Sequence, residues 1–272
     1  MTMIHELSDW YPFRIFVSSA NFAFRALFSW LRPEMWVTQL LALPLFQMAF
    51  FVYLARFVQP GGTSIAFVAV GNAMQVSAFA SIFAICNLTS EEKWQGTLIP
   101  LISTPANRFP LFLGRSVYQI FNGMATIAVG FVYAKYVFGV DFSRADFLAL
   151  ALVILITSLT MTGFGLMLGS LGLFLRTAMI IANIFLFLGL LICGVNFPVS
   201  TLPTWVQPVS YAIPMTYGTT AARAAVQGAN VVQLAPTLLG EIATGAGSII
   251  AGYLLFIGFE ALARRRGTLE EF

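Results

Sequence analysis

Long apolar segments separated by short polar ones dominate the pattern along the chain. About 20 consecutive apolar residues are enough for a helix to cross the hydrocarbon core of a membrane. Only helices and closed barrels satisfy their backbone in lipid, and these segments lack the alternation of barrel strands. We therefore predict an all-α integral membrane protein with six transmembrane helices, at residues 35–56, 64–89, 112–134, 147–173, 177–196 and 241–260.

An amphipathic pattern precedes the first span, at residues 13–32. Phenylalanine, leucine and valine fill one face. Polar residues recur on the other face every three or four positions: Arg14, Ser18, Asn21, Arg25, Ser29 and Arg32. This spacing predicts a helix that lies in the membrane interface with its basic residues toward the cytoplasm. A helix buried against other spans is the alternative.

Charged residues are scarce, at 9% of the chain against 59% hydrophobic residues, and their placement predicts the orientation. With the N-terminus inside, most of the 14 cations fall on the inner side, and the outer side has only Arg56, Lys135, Arg144 and Arg223. Lys and Arg accumulate on the cytoplasmic side of membrane proteins. We therefore expect a multi-pass protein of the cytoplasmic (inner) cell membrane, surrounded by lipids, with both termini in the cytoplasm. No basic stripe with interleaved aromatic residues indicates a nucleic-acid partner.

A polar stretch with the sequence EEKWQGTLIPLISTPANR, residues 91–108, separates the second and third spans. Carboxylates are disfavoured at the C-terminus of a helix, so Glu91 and Glu92 predict that a new element begins near them. The apolar residues that follow share one face of a short helix: Leu98, Leu101 and Ile102. A short amphipathic helix on the basic side of a membrane is suited to docking on another molecule.

Residues 197–222 carry no charge but contain prolines at positions 198, 203, 208 and 214. No straight helix tolerates prolines at this spacing. We predict a re-entrant or interfacial hairpin at the outer surface, buried in protein so that its broken backbone is satisfied. Its aromatic residues include Trp205, Tyr211 and Tyr217.

The second span is unusually polar for a helix in lipid, with Asn72, Gln75, Ser77, Ser81 and Asn87. Polar side chains inside a membrane usually face a partner helix or a wet cavity. Helix packing and direct substrate contact are both compatible with this pattern.

Catalytic and metal-binding patterns are missing from the sequence. It has no G-x-x-x-x-G-K-[ST] loop for a nucleotide, no His, Cys, Asp or Glu cluster with metal spacing, and one histidine, His5, in the N-terminal tail. No predicted span carries an internal Asp, Glu or Lys of the kind that couples transport to protons or sodium. We expect no enzyme activity in this chain and an energy source in another protein. Cys86 and Cys193 should lie too far apart for a disulfide.

Two stretches resemble the ABC-2 type permease family, the membrane subunits of ATP-binding cassette exporters. EEKWQGTLIPLISTPANRFPLFLGR is similar to the cytoplasmic loop of that family, with an acidic residue, G-T-L, S-T-P and an arginine between spans two and three. NFPVSTLPTWVQPVSYAIPMTYGTTAAR resembles its aromatic, proline-rich outer hairpin. With six spans and an interfacial helix, the likeness covers the whole chain.

The resemblance implies that residues 96–108 form a coupling helix seated in a cleft of a separate ATP-hydrolysing subunit. The docking residues it implies are Glu91, Glu92, Lys93, Trp94, Gly96, Thr97, Leu98, Leu101, Ile102, Thr104, Pro105 and Arg108. A solvated loop whose charges only fix topology is the alternative. The family works with two ATPase subunits, which hold ATP and Mg, and with two permeases, so a second copy or a related chain is expected beside this one. The resemblance implies no cofactor in this chain.

A substrate path at the permease dimer interface is also implied, lined by spans two and five. Our candidates for it are Asn72, Gln75, Phe79, Asn183, Phe187 and Asn196. The outer hairpin would act as a lid, with Trp205, Tyr211 and Tyr217 at the exit. The leading hypothesis is export of an amphipathic small molecule such as a drug, antibiotic, peptide or lipid. Export of a lipid-linked polysaccharide, and a passive channel or lipid scramblase with no ATPase, are the alternatives.

Overall fold

The computed structural model describes residues 14, 16–21, 32–58, 64–94, 108–171 and 178–266. Within them every regular element is a helix, which agrees with the predicted all-α class. The long helices are α1 (Pro33–Val58), α2 (Ile65–Trp94), α3 (Arg108–Tyr136), α4 (Phe147–Leu171) and α5 (Ala178–Ile192). A 3-10 turn at Val199–Thr201 leads to α6 (Gln207–Tyr211), α7 (Pro214–Val226) and α8 (Val231–Arg266).

Five segments of the described chain are long and apolar enough to cross a membrane. They are Pro33–Val58, Ile65–Phe83, Leu113–Tyr136, Phe147–Leu171 and Val231–Gly258. The segment predicted as the span at residues 177–196 contains α5, whose apolar part Ala182–Ile192 is shorter than these. The helix ends before Gly194, whose φ of +67° lies in the left-handed region that favours glycine. The count of six spans therefore stays a prediction.

Helix α2 lies at the centre of the bundle and packs against α1, α3, α4, α5 and α7. Small residues let the long helices approach each other closely. Gly130 of α3 lies against Ala73 of α2, and Gly165 of α4 lies against Ile85 of α2. On the other side of α4, Gly245 of α8 lies against Thr160. The core is therefore built on α2 and α4, with α8 closing over α4.

The prediction that a new element begins at Glu91 and Glu92 is wrong, because α2 continues through both residues to Trp94. An unfavourable macrodipole interaction costs only about 0.3–1 kcal/mol for each surface charge. Glutamate and lysine are otherwise good helix formers. This small unfavourable energy does not end the helix before Trp94.

The last helix also differs from its predicted range. It begins at Val231 rather than at residue 241, and it continues to Arg266. Pro236 lies in its second turn, where a proline cannot donate the usual backbone hydrogen bond to the residue four positions earlier, yet the helix continues through it. Glu241 therefore lies well inside the helix rather than at its edge.

The prediction for residues 13–32 falls largely outside the described residues. Residues 16–21 are helical, and Arg14, Ser18 and Asn21 are exposed. Ser19 is buried, because it lies against Gly114 near the start of α3. A location in the membrane interface stays a prediction.

Short helices and turns occupy most of the predicted hairpin at residues 197–222, and α7 begins inside it at Pro214. Hydrogen bonds tie these helices to the end of α5. The Ser210 hydroxyl donates to the carbonyl of Ile192, and the Thr219 hydroxyl donates to the carbonyl of Cys193 at 3.1 Å. These bonds satisfy carbonyls that the end of a helix leaves without partners. We call this end of the bundle, formed by Ser64 and residues 137–146 and 193–230, the hairpin end.

Candidate functional site

Two of the predicted path residues bind each other at the hairpin end. The side-chain amide of Asn72 on α2 donates to Asn196 Oδ1 at 2.9 Å and to the carbonyl of Val68 at 2.9 Å. Asn196 follows α5, and its own amide donates to the carbonyl of Leu190 at 3.4 Å. Asn72 is completely buried. The pair joins the centre of the bundle to the segment that leads into the hairpin.

Gln75 lies about one helical turn further along α2, at its contact with α5. Its Nε2 lies 3.5 Å from the carbonyl of Leu186, and its side chain is buried. Gln75 Oε1 and Asn72 Oδ1 are both buried, and neither accepts a hydrogen bond from the described part of the chain. Most buried polar atoms in proteins are hydrogen-bonded to protein or water. These two neighbouring oxygens on α2 are therefore positions to which water or a ligand could donate a hydrogen bond.

The other predicted path residues do not all join this cluster. Phe187 is 65% exposed, on an apolar face of α5 that also carries Ile180, Ile184 and Leu191. Asn183 is half-buried. The side chain of Phe79 lies outside the described residues. The structure thus brings together Asn72, Gln75 and Asn196, and it turns Phe187 away from the protein.

The predicted lid residues divide in a similar way. The rings of Tyr211 and Tyr217 lie 5.7 Å apart, between the centroids, at an angle of 55°. Tyr217 also packs against Gly240 of α8, where only a glycine leaves room for the ring. Trp205 is 77% exposed. The two tyrosines therefore connect the hairpin to α8, whereas Trp205 projects from the surface.

The predicted docking residues lie at the opposite end of α2, which we call the Trp94 end. Glu91, Glu92, Lys93 and Trp94 form the last turn of α2, and Arg108 begins α3. The remaining docking predictions fall outside the described residues: Gly96, Thr97, Leu98, Leu101, Ile102, Thr104 and Pro105. The segment that holds them connects two long helices, α2 and α3.

Arg223 is a structural residue whose role the sequence did not reveal. Its guanidinium group lies 3.4 Å from the ring centroid of Phe67 on α2. Nε and Nη2 donate to the carbonyl of Phe67 at 3.2 and 3.1 Å, and Nη2 also donates to the carbonyl of Val195 at 2.9 Å. Burial lowers the pKa of Arg223 to about 9, which leaves it protonated at neutral pH. The signal in the sequence was a cation eight residues before the last helix, on the side predicted to be poor in cations.

Gly71 makes this arrangement possible. A Cβ atom at Gly71 would collide with the carbonyl of Val195 and with Arg223 Nη2. The missing side chain lets the arginine lie flat across α2 and reach two carbonyls. The cation thereby joins α7, α2 and the segment after α5.

Glu241 is a second residue that sequence reasoning missed. The prediction that no span carries an internal acidic residue is wrong, because Glu241 lies within the candidate span Val231–Gly258 and is fully buried. The Thr160 hydroxyl donates to Glu241 Oε1 at 3.3 Å, and Oε2 has no hydrogen-bond partner among the described residues. Gly218 of α7 lies against the same carboxyl group. The residue was overlooked because the last span was predicted to begin at it.

Among the described residues, no group of three His, Cys, Asp or Glu side chains could hold a metal ion. Cys86 and Cys193 are buried, free cysteines. The polar groups described above are therefore side-chain amides, hydroxyls, one carboxyl group and cations.

Comparison with known proteins identifies the family. The model of the ABC-2 type transporter family matches residues 22–226, which include α1 to α7. The chain belongs to the ABC-2 type transporter family. It is similar to the probable multidrug ABC transporter permease YbhR of Escherichia coli strain K12 and to the protein of the same name in strain O157:H7. Each is 29% identical over 131 residues, which are 48% of this chain. The match covers 35% of the length of either relative.

Proposed function

We propose that this ABC-2 protein is the membrane-spanning permease subunit of an exporter that moves an amphipathic small molecule out of the cytoplasm or the inner leaflet. ATP would be hydrolysed by a separate ATP-binding subunit. Family membership and the multidrug name of the relatives support the proposal. The observation in the structure that carries it is the pair of buried acceptors, Asn72 Oδ1 and Gln75 Oε1, between α2 and α5.

These acceptors suit a cargo that is mainly apolar but has a few polar groups. Ligand sites are usually apolar and contain a few polar groups that fix orientation. Asn72, Gln75 and Asn196 supply amides beside α5, and the buried carboxyl on α8, Glu241, contacts threonine rather than this cluster. A cargo hydroxyl or amine would donate to the two oxygens and take the place of water.

Helix α2 provides the mechanical connection that the proposal needs. Its 30 residues form one element from the hairpin end to the Trp94 end. At 1.5 Å per residue, it is about 45 Å long. A push on the loop after Trp94 would therefore move Asn72 and Gln75 as part of the same rigid helix. The Asn72 to Asn196 hydrogen bond is the contact that such a movement would break.

A second permease would complete the path. The face of α5 that carries Ile180, Ile184, Phe187 and Leu191 is exposed and apolar. A second copy of this chain, or a related one, would cover that face. Two ATP-binding subunits would then dock on the two loops at residues 91–108.

Purification of the tagged chain in a mild detergent, followed by mass spectrometry and an ATPase assay, tests the proposal. We expect an ATPase with a G-x-x-x-x-G-K-[ST] loop to co-purify, and the double substitution Leu98→Asp and Leu101→Asp to release it, because the apolar docking face is lost. The matched control is Val209→Asp, which places the same charge on an exposed apolar residue at the hairpin end. It should leave the complex intact.

Recovery of the chain without an ATPase would contradict the proposal and favour a passive channel or lipid scramblase. Retention of the ATPase by the double variant would contradict the docking assignment. The same spectra would show whether the second permease is a copy of this chain. A lipid-linked polysaccharide that co-purifies would replace the small amphiphile as cargo.

A further inference from the structure

A large pocket at the hairpin end has a net positive charge. Its volume is about 670 Å³, and it opens between the start of α2, the loop between α3 and α4, and the end of α7. The charged side chains that line it are Asp141, Arg144 and Arg223. Two of the four cations that the sequence places at this end therefore share one pocket. Arg56 and Lys135, the other two, lie beside Tyr53 and Tyr136.

Arg223 still has hydrogen-bonding capacity in this pocket. A guanidinium group has five N–H donors, and Arg223 uses only those of Nε and Nη2 on backbone carbonyls. Nη1 donates no hydrogen bond within the described chain, and no carboxylate there forms an ion pair with Arg223. Stacking on Phe67 fixes the plane of the group. The remaining donors are thus held in place before any ligand arrives.

Asp141 is attracted to Arg144 but forms no salt bridge with either arginine in the described chain. Its Oδ1 accepts from the backbone N–H of Ser143 at 2.8 Å, and its Oδ2 accepts from the Ser143 hydroxyl at 3.0 Å. These bonds lower the pKa of Asp141, so it stays charged, but they turn both oxygens toward its own loop. The side chain of Arg144 is exposed and makes no hydrogen bond in the described chain. Two cations therefore face the pocket with only one carboxylate beside them.

We propose that this pocket binds the anionic group of an amphiphile, a phosphate or a carboxylate, through Arg223 Nη1 and Arg144. Arginine is suited to such groups because its planar fork can match two oxygens at once. The apolar part of the ligand would lie against Phe67, Val70, Val140 and Val226, which line the same pocket. The site is separate from the Asn72 and Gln75 cluster, so it does not depend on the proposed transport function.

Calorimetric titration of the purified chain in dodecyl maltoside with dodecyl phosphate tests the site, with dodecanol as the uncharged probe. We expect saturable binding of dodecyl phosphate alone, and weaker binding as salt rises. Arg144→Gln should weaken binding about tenfold, as expected for one charge-assisted hydrogen bond. Asp141→Asn should strengthen binding, because it removes a negative charge that repels the anionic ligand.

Lys135→Gln is the matched control, since Lys135 is a cation at the same end that does not line the pocket. It should change the affinity less than twofold. Arg223→Gln should also weaken binding, but it removes contacts that hold the fold. If the Arg223→Gln variant does not fold, the result for Arg144→Gln decides whether the proposal stands. Equal binding of dodecanol, unchanged affinity in Arg144→Gln, or an equal loss in Lys135→Gln would overturn the proposal.

Nanodiscs distinguish the two sources of such an anionic group. If phosphatidylglycerol in the nanodisc displaces dodecyl phosphate and phosphatidylcholine does not, the natural ligand is an anionic lipid headgroup. If dodecyl phosphate binds equally well in both kinds of nanodisc, the site takes a soluble amphiphile instead. Both results uphold an anion site and assign its source.

Discussion

Helices α1 and α2 have similar length and hydropathy but opposite positions in the bundle. Only 17% of the spanning window of α1 is buried, against 76% for α2. Large apolar side chains of α1, such as Phe46, Phe50 and Phe57, are exposed, whereas α2 buries Asn72, Gln75, Ser77 and Ser81. In a membrane the lipid is as apolar as a leucine side chain, so apolar residues need no protein partner. Polar residues do, and they therefore mark the helix at the centre.

The largest effect should come from adding a methyl group on the buried side of α2. Gly71→Ala should destabilise the protein by roughly 3 kcal/mol, because the new Cβ meets the backbone carbonyl of Val195, which cannot move aside easily. Gly247→Ala on α8 is the control, since nothing lies within 4 Å of that position. There the change should be neutral or stabilising by up to about 1 kcal/mol, because alanine favours the helix. Unfolding in detergent measures both, and equal effects would contradict the packing described for Gly71.

Removal of the buried carboxyl of Glu241 should have the next largest effect. Glu241→Ala leaves a cavity and removes the hydrogen bond between Thr160 and Glu241 Oε1, with an expected loss of about 2–3 kcal/mol. Glu241→Gln keeps the shape and one acceptor, so it should unfold at nearly the same denaturant concentration as the natural protein. A glutamine variant as unstable as the alanine variant would show that the charge itself holds α4 and α8 together.

Loss of the Asn72 to Asn196 hydrogen bond should be smaller, at about 1 kcal/mol. Asn72→Ala removes the bond, and Asn196→Ala in the same background should add little, because both changes remove the same interaction. Thr38→Val on α1 is the control, since that hydroxyl only contacts the carbonyl of Glu34 at an exposed position. Independent, additive losses for the two asparagines would mean that they do not act as a pair.

Exposed apolar residues of α1 should give the smallest effect. Phe46 is 72% exposed, so Phe46→Leu should change the free energy of unfolding by less than about 0.5 kcal/mol. Met48 lies on the same helix and is fully buried, and Met48→Ala should cost at least about 2 kcal/mol. Similar losses for the two variants would remove the distinction between a lipid face and a protein face on α1.

Much of this fold follows from the sequence, because membrane spans are set by the length of apolar segments. The polar residues of α2 likewise indicated a protein-facing helix, although not which partners they have. The pairing of Asn72 with Asn196 joins residues 124 positions apart, and no local pattern encodes it.

Element ends were harder to predict. The end of α2 was placed too early because a charge at a helix terminus has a small energy compared with tertiary packing. Glu241 was missed for a related reason: a span was assumed to begin where charge ends, and the helix begins at Val231. Arg223 was counted as a topological cation because its partners, two backbone carbonyls, leave no mark in the sequence.

The most direct test of the transport account follows the distance between Asn72 and Asn196 during ATP binding. Both residues are changed to cysteine after Cys86 and Cys193 are changed to serine, and a short thiol cross-linker is applied to the complex with the proposed ATPase subunit. We predict fast cross-linking without nucleotide and slow cross-linking when ATP is trapped, with no such slowing in the Leu98→Asp and Leu101→Asp variant. An equal rate with and without trapped ATP would contradict the claim that α2 transmits movement from the docking loop to the path.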